Sequence, residues 1–468
     1  MNSIMKEEAI IIVSHSGKRT SRITGGAGAR TTYIFKALSY YSHRVILQNL
    51  CIDCNVFTTY RTENQVIVMA PIKQFVHSLN FVSIDNIFIL LKSIESLQNY
   101  LELKRFKDIV VVTTDPISLH YWLYTKERLL KDGYNIKILW SPGGNELTCP
   151  LHTEVCPHSN SYTGSYGHSI SVSWYLTRCV PHILKSRGLN IYQFFVWPLL
   201  RKEIIKKVDG ILATRSVYIE GCKSLRLKNC AYIGFGVDTN RFFPRPRDEV
   251  IKILHNIRSN IENNIVWGDI RYFCDEILSC DSIVLGFIGA VTPPWKNVEL
   301  IIKVFSIIAK TFENVYLLIV ARDAHLLLPL TTTLPESVRK KIVIFNGIPH
   351  VYVPVFYNLI DVFINPSLLD SLEVNTIEAL VSGNIVLASN RGCINDLRYL
   401  GIKTYKIFEP TPTSLLSVLT PILKRLNLYK NEVLEQLSYV RNRLNLYAFG
   451  RRLVKAISRL CNDDKKLE

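Results

Sequence analysis

The strongest constraint on the fold is an alternation of short apolar runs with helix-compatible segments, which occurs twice along the chain. In the N-terminal half, the run AIIIV from Ala9 precedes a Gly-rich turn and a helical stretch, and similar alternations begin at Arg44, Asp108 and Gly210. Apolar runs of this length favour buried strands. Their alternation with helices is typical of a parallel α/β sheet, whose ligand loops follow the carboxyl ends of its strands.

A second series of the same kind begins at Ile283. Its apolar runs are IVLGFIG, NVYLLIVA, KIVIFNG, VFINPS and NIVLASN, with helix-compatible segments around them. Between the two series lies GFGVDTNRFFPRPRD, from Gly234, whose glycines, prolines and arginines are typical of a turn or linker. The sequence therefore predicts an α/β protein with two separate doubly wound parallel-sheet domains.

Composition excludes several classes of protein. The 468 residues are 48% hydrophobic and 20% charged, which excludes a disordered tail, a collagen and a small disulfide-stapled module. The formal charge of +17 implies an anionic partner, which the total alone does not identify: nucleic acid, an anionic membrane face or a phosphorylated substrate. Nucleic acid is disfavoured because no aromatic-basic recognition motif is present.

The cysteines and the apolar stretches bear on the compartment. Eleven cysteines, an odd number, are scattered along the chain without a secretory leader before them, so we expect a reducing cytoplasmic setting. The longest apolar stretches are interrupted by charges well before the ~20 residues that a bilayer span needs. We therefore expect any membrane contact to be peripheral, at the inner face.

The most informative segment is IDVFINPSLLDSLEVNTIEALVSGNIVLASNRG, from Ile360 to Gly392. It resembles the nucleotide-sugar-binding region of the retaining glycosyltransferases of family 4 (glycosyl transferases group 1), which share the two-domain GT-B fold. In the family pattern an acidic residue is followed by seven residues and a glutamate; here Asp370 and Glu378 take these places. Three further segments resemble family landmarks in the same order, from Thr24, from Ile233 and from Gly286.

The resemblance implies a GT-B fold whose two Rossmann-like domains face a cleft. It divides the chain into an acceptor-binding domain at 1–245, a helical linker at 246–282, a nucleotide-sugar-binding domain at 283–440, and a C-terminal helix at 441–468 that returns to the first domain. The implied function is transfer of a sugar from a nucleotide-diphosphate sugar to a glycan, a lipid-linked or a protein-linked acceptor, with retention of configuration and without a required metal or other cofactor.

The resemblance also assigns site residues. Lys296 stands at the family's phosphate-binding lysine, Glu378 is expected to accept the ribose hydroxyls, and Asp370 to meet the donor sugar; these three are the predicted catalytic residues. The full set predicted to bind the donor is Gly25, Gly26, Gly289, Lys296, Asp370, Ser371, Leu372, Glu373, Val374 and Glu378. Gly25 and Gly26 are expected in a turn that lets a phosphate approach the following helix.

Acceptor contacts are expected in the N-terminal domain. The candidates are Arg30, on the first turn of the helix after the Gly-rich loop, His120, Ser141, Gly143 and Gly144. His120 stands in for a family histidine that has no counterpart in this sequence. Basic residues of this domain and of the C-terminal helix would suit a phosphorylated lipid or an anionic membrane surface.

Three departures from the family pattern keep a second hypothesis open. Ala290 occupies the place of a family arginine, Glu373 replaces part of a Gly-rich turn, and the histidine is missing. A catalytically degenerate GT-B protein that binds a ligand or a partner is the alternative. Separately, Cys149, His152, Cys156 and His158 have ligand types that zinc prefers, but their spacing fits no standard zinc finger, and an acceptor loop is favoured.

Overall fold

The structure is a computed structural model. It describes residues 9–17, 25–42, 45–51, 58–62, 65–71, 108–142, 205–224, 226–227, 229–269, 282–291, 296–368, 374–390 and 393–462. The described residues form two compact units. The first is built from parts of Met1–Ser169, Ile183–Gly236 and Leu446–Glu468, and the second from Val237–Asn445.

Within the described residues the first unit contains an eight-stranded sheet in the order β3-β4-β2-β1-β5-β6-β7-β8. All neighbouring strands are parallel except β3 and β4, which form an antiparallel pair at one edge. The strands are β1 Ala9–Gly17, β2 Val45–Cys51, β3 Thr58–Thr62, β4 Gln65–Pro71, β5 Asp108–Thr113, β6 Asn135–Trp140, β7 Gly210–Ala213 and β8 Cys230–Tyr232.

The second unit contains a seven-stranded sheet among its described residues, in the order β15-β14-β13-β10-β11-β12-β9. It is parallel except for β9, which pairs antiparallel with β12 at one edge. Its strands are β9 Ile265–Trp267, β10 Ile283–Ala290, β11 Val315–Arg322, β12 Ile342–Asn346, β13 Val362–Asn365, β14 Ile385–Ser389 and β15 Tyr405–Phe408. The prediction of two doubly wound, mainly parallel sheets is confirmed.

Helices connect the strands of both sheets. The described α-helices are α1 Gly25–Ser39, α2 Pro116–Lys131, α3 Ser216–Ser224, α4 Arg247–Ile261, α5 Glu299–Thr311, α6 Leu328–Thr332, α7 Glu336–Arg339, α8 Val353–Leu359, α9 Val374–Val381, α10 Pro412–Lys424, α11 Leu426–Leu444 and α12 Leu446–Asn462. Short 3₁₀ helices lie at Glu262–Asn264, Ala324–Leu327, His350–Tyr352 and Cys393–Leu400.

The core of the second unit shows why these segments become helices. In α5, Leu300, Ile301, Val304 and Ile308 are buried and recur at helical spacing. The exposed Lys310 lies in the last turn of the helix, which ends at Thr311. One apolar face therefore packs on the sheet and one charged face meets water, as an amphipathic helix requires.

The last helix, α12, belongs to the first unit and packs against α1. Arg452 donates hydrogen bonds of 2.8 Å to the carbonyl oxygens of Ile233 and Phe235. The hydroxyl of Tyr41 donates to the carbonyl of Tyr447 at 2.9 Å, and the two tyrosine rings stack. The chain thus begins and ends its described part in the same unit.

Some elements differ from the sequence expectation. The segment 246–282 was expected to be helical, but after α4 it contains the edge strand β9. The pair β3 and β4, and strands β8 and β15, were also not predicted; β8 and β9 have three residues each, too short for a periodic pattern to emerge. Among the described residues, no helix combines the length and apolar character needed to cross a bilayer.

Candidate functional site

The second sheet changes direction at β10. This strand has β11 on one side and β13 on the other, so the connections that leave β10 and β13 run to opposite sides. In doubly wound sheets, ligands bind outside the carboxyl ends of the strands at such a switch point. Here those ends are Gly289 and Ala290 on β10, and Asn365 to Ser367 at the end of β13.

Two asparagines connect α9 to the strands that end at this edge. Asn375, in α9, donates through Nδ2 to the carbonyl of Ile288 on β10 at 2.8 Å. Asn365 donates to Oγ1 of Thr376 at 2.7 Å, which ties the end of β13 to the same helix. These bonds fix the beginning of α9 against both strands of the switch point.

The loop after β13 is held from within and from β14. The hydroxyl of Ser367 donates to Oδ1 of Asn365 at 2.8 Å, and its backbone N–H reaches the same oxygen at 3.2 Å. The hydroxyl of Ser389, at the end of β14, donates to the carbonyl of Ser367. The polar groups at this edge of the sheet therefore hold one another in place through hydrogen bonds.

Glu378 lies in the middle of α9 and is almost fully buried, with 5% of its surface exposed. The hydroxyl of Tyr357, in α8, donates to its Oε2 at 3.1 Å. The Tyr357 ring is itself buried between Phe242 and Phe363, with centroid distances of 5.8 Å to each. A buried carboxylate with a fixed donor keeps one orientation, and its remaining lone pairs can accept hydroxyl donors.

Gly289 lies at the carboxyl end of β10, where a side chain does not fit. A Cβ at this position would lie 2.8 Å from Cζ of Phe287 and 3.3 Å from Nδ2 of Asn375. The ring of Phe287 is completely buried and has no room to yield. Glycine thus allows the backbone of β10 and the start of α9 to approach closely.

Lys296 begins the described segment that leads into α5, and its side chain is partly exposed. The next residue, Asn297, has a left-handed backbone with φ of 53° and donates through Nδ2 to the carbonyl of Pro366 at 3.3 Å. This bond places the segment that carries Lys296 beside the residues that follow β13. Lys296, Gly289 and Glu378 therefore belong to elements that meet at one edge of the sheet.

Of the other residues predicted beside Glu378, the structure describes Val374 but not Asp370 to Glu373. Val374 is the first residue of α9 and is buried. The predicted donor residues Asp370, Ser371, Leu372 and Glu373 lie outside the described residues, as do Gly143, Gly144 and the Cys149 to His158 group. In the described part of the chain, no cluster of three or more His, Cys, Asp or Glu side chains is suited to a metal ion.

The first sheet has its own switch point, between β1 and β5. Arg30 lies there, 1% exposed, and donates through Nη2 to the carbonyl of Thr114, which follows β5. The hydroxyls of Thr31 and Thr114 are 2.9 Å apart. The helix begins at Gly25, so Gly25 and Gly26 open α1 instead of lying in a turn before it, and Arg30 lies beyond the first turn of the helix, facing the sheet.

The remaining acceptor candidates stay predictions. Ser141 follows β6, is fully buried, and its N–H donates to the carbonyl of Thr113 at 2.8 Å. His120 is a residue of α2. Arg30 is buried and supports the backbone after β5, whereas the sequence predicts it on the first turn of the helix as a contact for an anionic acceptor.

Sequence reasoning missed Tyr357, Asn365 and Asn375. Asn365 ends an apolar run, and a polar residue at the carboxyl end of a strand is a usable signal for a ligand edge. Tyr357 gave no such signal, because it lies 21 positions before Glu378 on a different helix, and the two side chains meet only in the folded unit.

Part of the second unit matches a known protein family. Residues 282–415 match the family described as Glycosyl transferases group 1. The match begins beside β10 and includes Gly289, Lys296 and Glu378, and it extends into α10. A comparison with curated proteins finds no match.

Solved structures resemble the chain over nearly its whole length. A sucrose-phosphate synthase from Thermosynechococcus elongatus has a TM-score of 0.64 at 14% identity, with 97% of this chain and 100% of that chain covered. HepE from Anabaena, solved with UDP-glucose, has a TM-score of 0.59 at 10% identity, with 96% and 99% covered. An α,α-trehalose 6-phosphate synthase from Burkholderia multivorans has a TM-score of 0.58 at 9% identity, with 98% and 100% covered.

At identities of 9–14%, the similarity to these structures shows the fold alone. The family match concerns residues of the second unit. The chain has the GT-B fold, and residues 282–415 of its second unit match the family of glycosyl transferases group 1.

Proposed function

We propose that this protein moves a sugar from a nucleotide-diphosphate sugar to an acceptor, and that the second unit holds the donor. The observation that carries the proposal is the coincidence of the family match with the switch point of the second sheet, where the elements that carry Gly289, Lys296 and Glu378 come together. HepE, a structural neighbour, was solved with UDP and with UDP-glucose, which supports a donor of this class.

Charge balance at the leaving group assigns the first role. When the glycosidic bond to the diphosphate breaks, negative charge develops on the departing oxygen, and a nearby cation lowers the barrier. Lys296 is partly exposed at the edge where Gly289 lets the backbone approach closely. Its ammonium group is the proposed partner of the diphosphate.

Burial and acceptor capacity assign the second role. Glu378 has one oxygen occupied by Tyr357 and is fixed in a helix at the same edge. An ionised carboxylate accepts hydrogen bonds only, so it suits the hydroxyl donors of a ribose. Asp370, which precedes α9 by a few positions in sequence, is proposed to meet the hydroxyls of the transferred sugar.

Retention of configuration and membership of family 4 are further parts of the proposal. They rest on the spacing from Asp370 to Glu378 and on the family landmarks in the sequence. In the family mechanism the leaving phosphate helps to deprotonate the acceptor on the same face of the sugar, and no metal is required.

The acceptor is proposed to be a glycan or a lipid-linked molecule, reached from the cytoplasmic face of a membrane. Support comes from α12, where Arg451, Lys455 and Arg459 are exposed at a spacing of four residues along one helix face. Anionic lipid attracts such charges by about 1 kcal/mol each. Binding to vesicles with and without anionic lipid, at two salt concentrations, tests this part separately.

A donor screen tests the central proposal. Titration calorimetry with UDP-, GDP- and ADP-sugars should find at least one that binds, and a bound donor should raise the unfolding temperature by mass action. Lys296→Ala and Glu378→Ala should abolish transfer while the protein remains folded. Lys310→Ala and Glu313→Ala, at exposed positions at the end of α5 and just beyond it, serve as matched controls and should leave transfer unchanged.

Two outcomes would overturn the proposal in different ways. Donor binding without release of nucleotide, across the donor panel and with candidate acceptors, would favour a degenerate GT-B protein that binds without catalysis. Ala290, at the place of a family arginine, is the residue that favours this second candidate. Full activity of the Lys296→Ala or Glu378→Ala protein would refute the site assignment.

A further inference from the structure

Two cysteines of the first unit lie side by side at the edge of its sheet. Cys222 lies in α3 and Cys230 is the first residue of β8, the edge strand of that sheet. Their sulfur atoms are 2.6 Å apart, and the thiol of Cys222 donates to the sulfur of Cys230. A disulfide bond has a sulfur separation of about 2.05 Å, so little movement separates the two thiols from a covalent bond.

The backbone between the two cysteines is fixed at both ends. At the end of α3, the N–H of Leu227 donates to the carbonyl of Cys222 at 2.8 Å. At the start of β8, the carbonyl of Asn229 accepts from Ile211 on β7 at 2.8 Å. The carbonyl of Cys230 also accepts from Nη2 of Arg459 in α12 at 2.6 Å. The proximity of the sulfurs is therefore built into the turn and the sheet edge.

We propose that Cys222 and Cys230 are an oxidation site that forms a reversible intramolecular disulfide bond. The oxidant is a small-molecule disulfide such as oxidised glutathione. The thiolate of Cys230 attacks one sulfur of the oxidant and releases one thiol; Cys222 then attacks the mixed disulfide at Cys230 and releases the second. Two cysteine thiols lose two electrons and two protons in total, and the oxidant is reduced to two thiols.

The environments of the two thiols set the order of these steps. Cys222 is buried, with 2% of its surface exposed, whereas Cys230 is partly exposed and can meet the oxidant first. The hydrogen bond to Cys230, together with burial, raises the pKa of the Cys222 thiol. Cys222 therefore keeps its proton until Cys230 is in the mixed disulfide; the Cys222 proton then leaves with the departing thiolate of the oxidant as the Cys222 sulfur bonds to Cys230.

The bond would clamp α3 to the edge strand β8. It closes a loop between positions 222 and 230, which restricts the unfolded chain and stabilises the folded first unit. Because the carbonyl of Cys230 also anchors Arg459 of α12, the clamp acts at the point where the C-terminal helix meets the sheet edge. Neither cysteine belongs to the donor site proposed above, so the two proposals are tested independently.

Peptide mapping of the full chain tests the proposal. The protein is incubated with oxidised glutathione or with dithiothreitol, alkylated and digested with trypsin. In the oxidised sample the peptide 216–223 should be linked to the peptide 229–241, with the loss of two hydrogen atoms, and dithiothreitol should restore both separately. Cys461, partly exposed in the peptide 460–465, is the internal reference and should remain alkylated.

Substitutions give the control and the functional consequence. Oxidation should raise the unfolding temperature of the unsubstituted protein by about 2 °C or more, and Cys222→Ser or Cys230→Ser should abolish this rise, whereas Cys461→Ser should not. Recovery of both peptides as fully alkylated thiols after oxidation, or linkage of Cys222 or Cys230 to any other cysteine, would overturn the proposal.

Discussion

The hydroxyl of Tyr357 donates a hydrogen bond of 3.1 Å to Oε2 of Glu378, so α8 orients the carboxylate that α9 carries. We expect Tyr357→Phe to weaken donor binding about tenfold, because it removes a hydrogen bond to a charged group while the ring keeps its packing. Titration of the donor and of the free nucleotide measures the change, and both should weaken because the lost contact concerns the nucleotide.

The control for Tyr357 is Tyr352→Phe. Its hydroxyl accepts from Asn260 at 3.1 Å, so the same chemical change occurs in the same unit without reaching Glu378. An equal loss of donor affinity in both variants, or none in Tyr357→Phe, would show that the tyrosine does not position the carboxylate.

Arg322 ends β11 in register with Ala290, the last residue of β10. Its side chain is 67% exposed and makes a loose pair of 3.7 Å with Asp323, which in water contributes little. It is therefore a cation at the carboxyl edge, next to the position where the family arginine is missing. We expect Arg322→Ala to lower donor affinity about three- to tenfold, with a steeper loss at low salt.

The matched control for Arg322 is Arg339→Ala, at the end of α7, away from the carboxyl ends of the strands. Calorimetry at two salt concentrations distinguishes the two. If donor affinity is the same in Arg322→Ala and in the unsubstituted protein, Arg322 does not take the role of the arginine that the family has at position 290.

Gly289→Ala should damage the site through the backbone. The added Cβ would lie 2.8 Å from the buried ring of Phe287 and 3.3 Å from the amide of Asn375, which holds α9 against β10. We expect a loss of about 1–3 kcal/mol in the free energy of unfolding together with weaker donor binding. The control is Gly286→Ala, which lies on the same strand but not at that edge. Its Cβ would lie 2.3 Å from the side chain of Ile360, so the substitution should lower stability and leave the donor affinity of the folded protein intact.

Arg441 joins two segments of the second unit, 239–242 and the end of α9, through three backbone carbonyls. It donates to the carbonyl oxygens of Phe242 and Val381 at 2.8 Å and of Thr239 at 2.7 Å, and burial lowers the pKa of its guanidinium. Arg441→Met should lower the free energy of unfolding by about 3 kcal/mol, because three carbonyl acceptors lose a charged donor.

Denaturant unfolding measures the Arg441 effect, and Arg443→Met, at an exposed position on the same helix, is its control. Arg443 lies over the ring of Tyr439, and loss of that contact should cost less than about 1 kcal/mol. Similar unfolding midpoints for the two variants would contradict the anchoring role of Arg441.

Gly450 permits the close approach of α12 to α1. A Cβ there would lie 2.3 Å from the carbonyl oxygen of Ala37 and 2.7 Å from the ring of Tyr41. Alanine normally favours a helix over glycine by about 1 kcal/mol, but the clash is with backbone, which cannot rotate away. Gly450→Ala should therefore lower the unfolding temperature of the protein, whereas Ser458→Ala on the same helix should change it little.

The sequence was sufficient for the fold because the buried strands leave an unmistakable pattern. The runs AIIIV in β1, IVVV in β5 and IVLGFIGA in β10 contain no polar side chain, since both faces of a parallel sheet are covered. Edge strands lack this property. The antiparallel β3 is mixed in polarity and β9 has only three residues, so pairing with a neighbour, rather than a periodic pattern of their own, makes them strands.

The site was predictable only in part for a related reason. Glu378 and Lys296 fall on spacings that the family pattern carries, so their positions follow from the chain. The groups that orient the site do not. Asn375 reaches β10 across 87 positions and Tyr357 reaches Glu378 across 21, and such pairs exist only after the sheet has formed. Likewise, Arg30 turned toward the sheet because the helix begins at Gly25.

The placement of α12 has a consequence for how the protein is made. The described elements of the second unit all lie between Val237 and Asn445, so they are available together once that stretch has left the ribosome. The first unit is different, because its sheet is synthesised early. Helix α12, which packs on α1 and carries Arg452 and Arg459, comes more than two hundred residues after the last described strand of that sheet. Until then the apolar surface that Phe449 and Leu453 will bury stays open, so the nascent first unit is the part most in need of a chaperone.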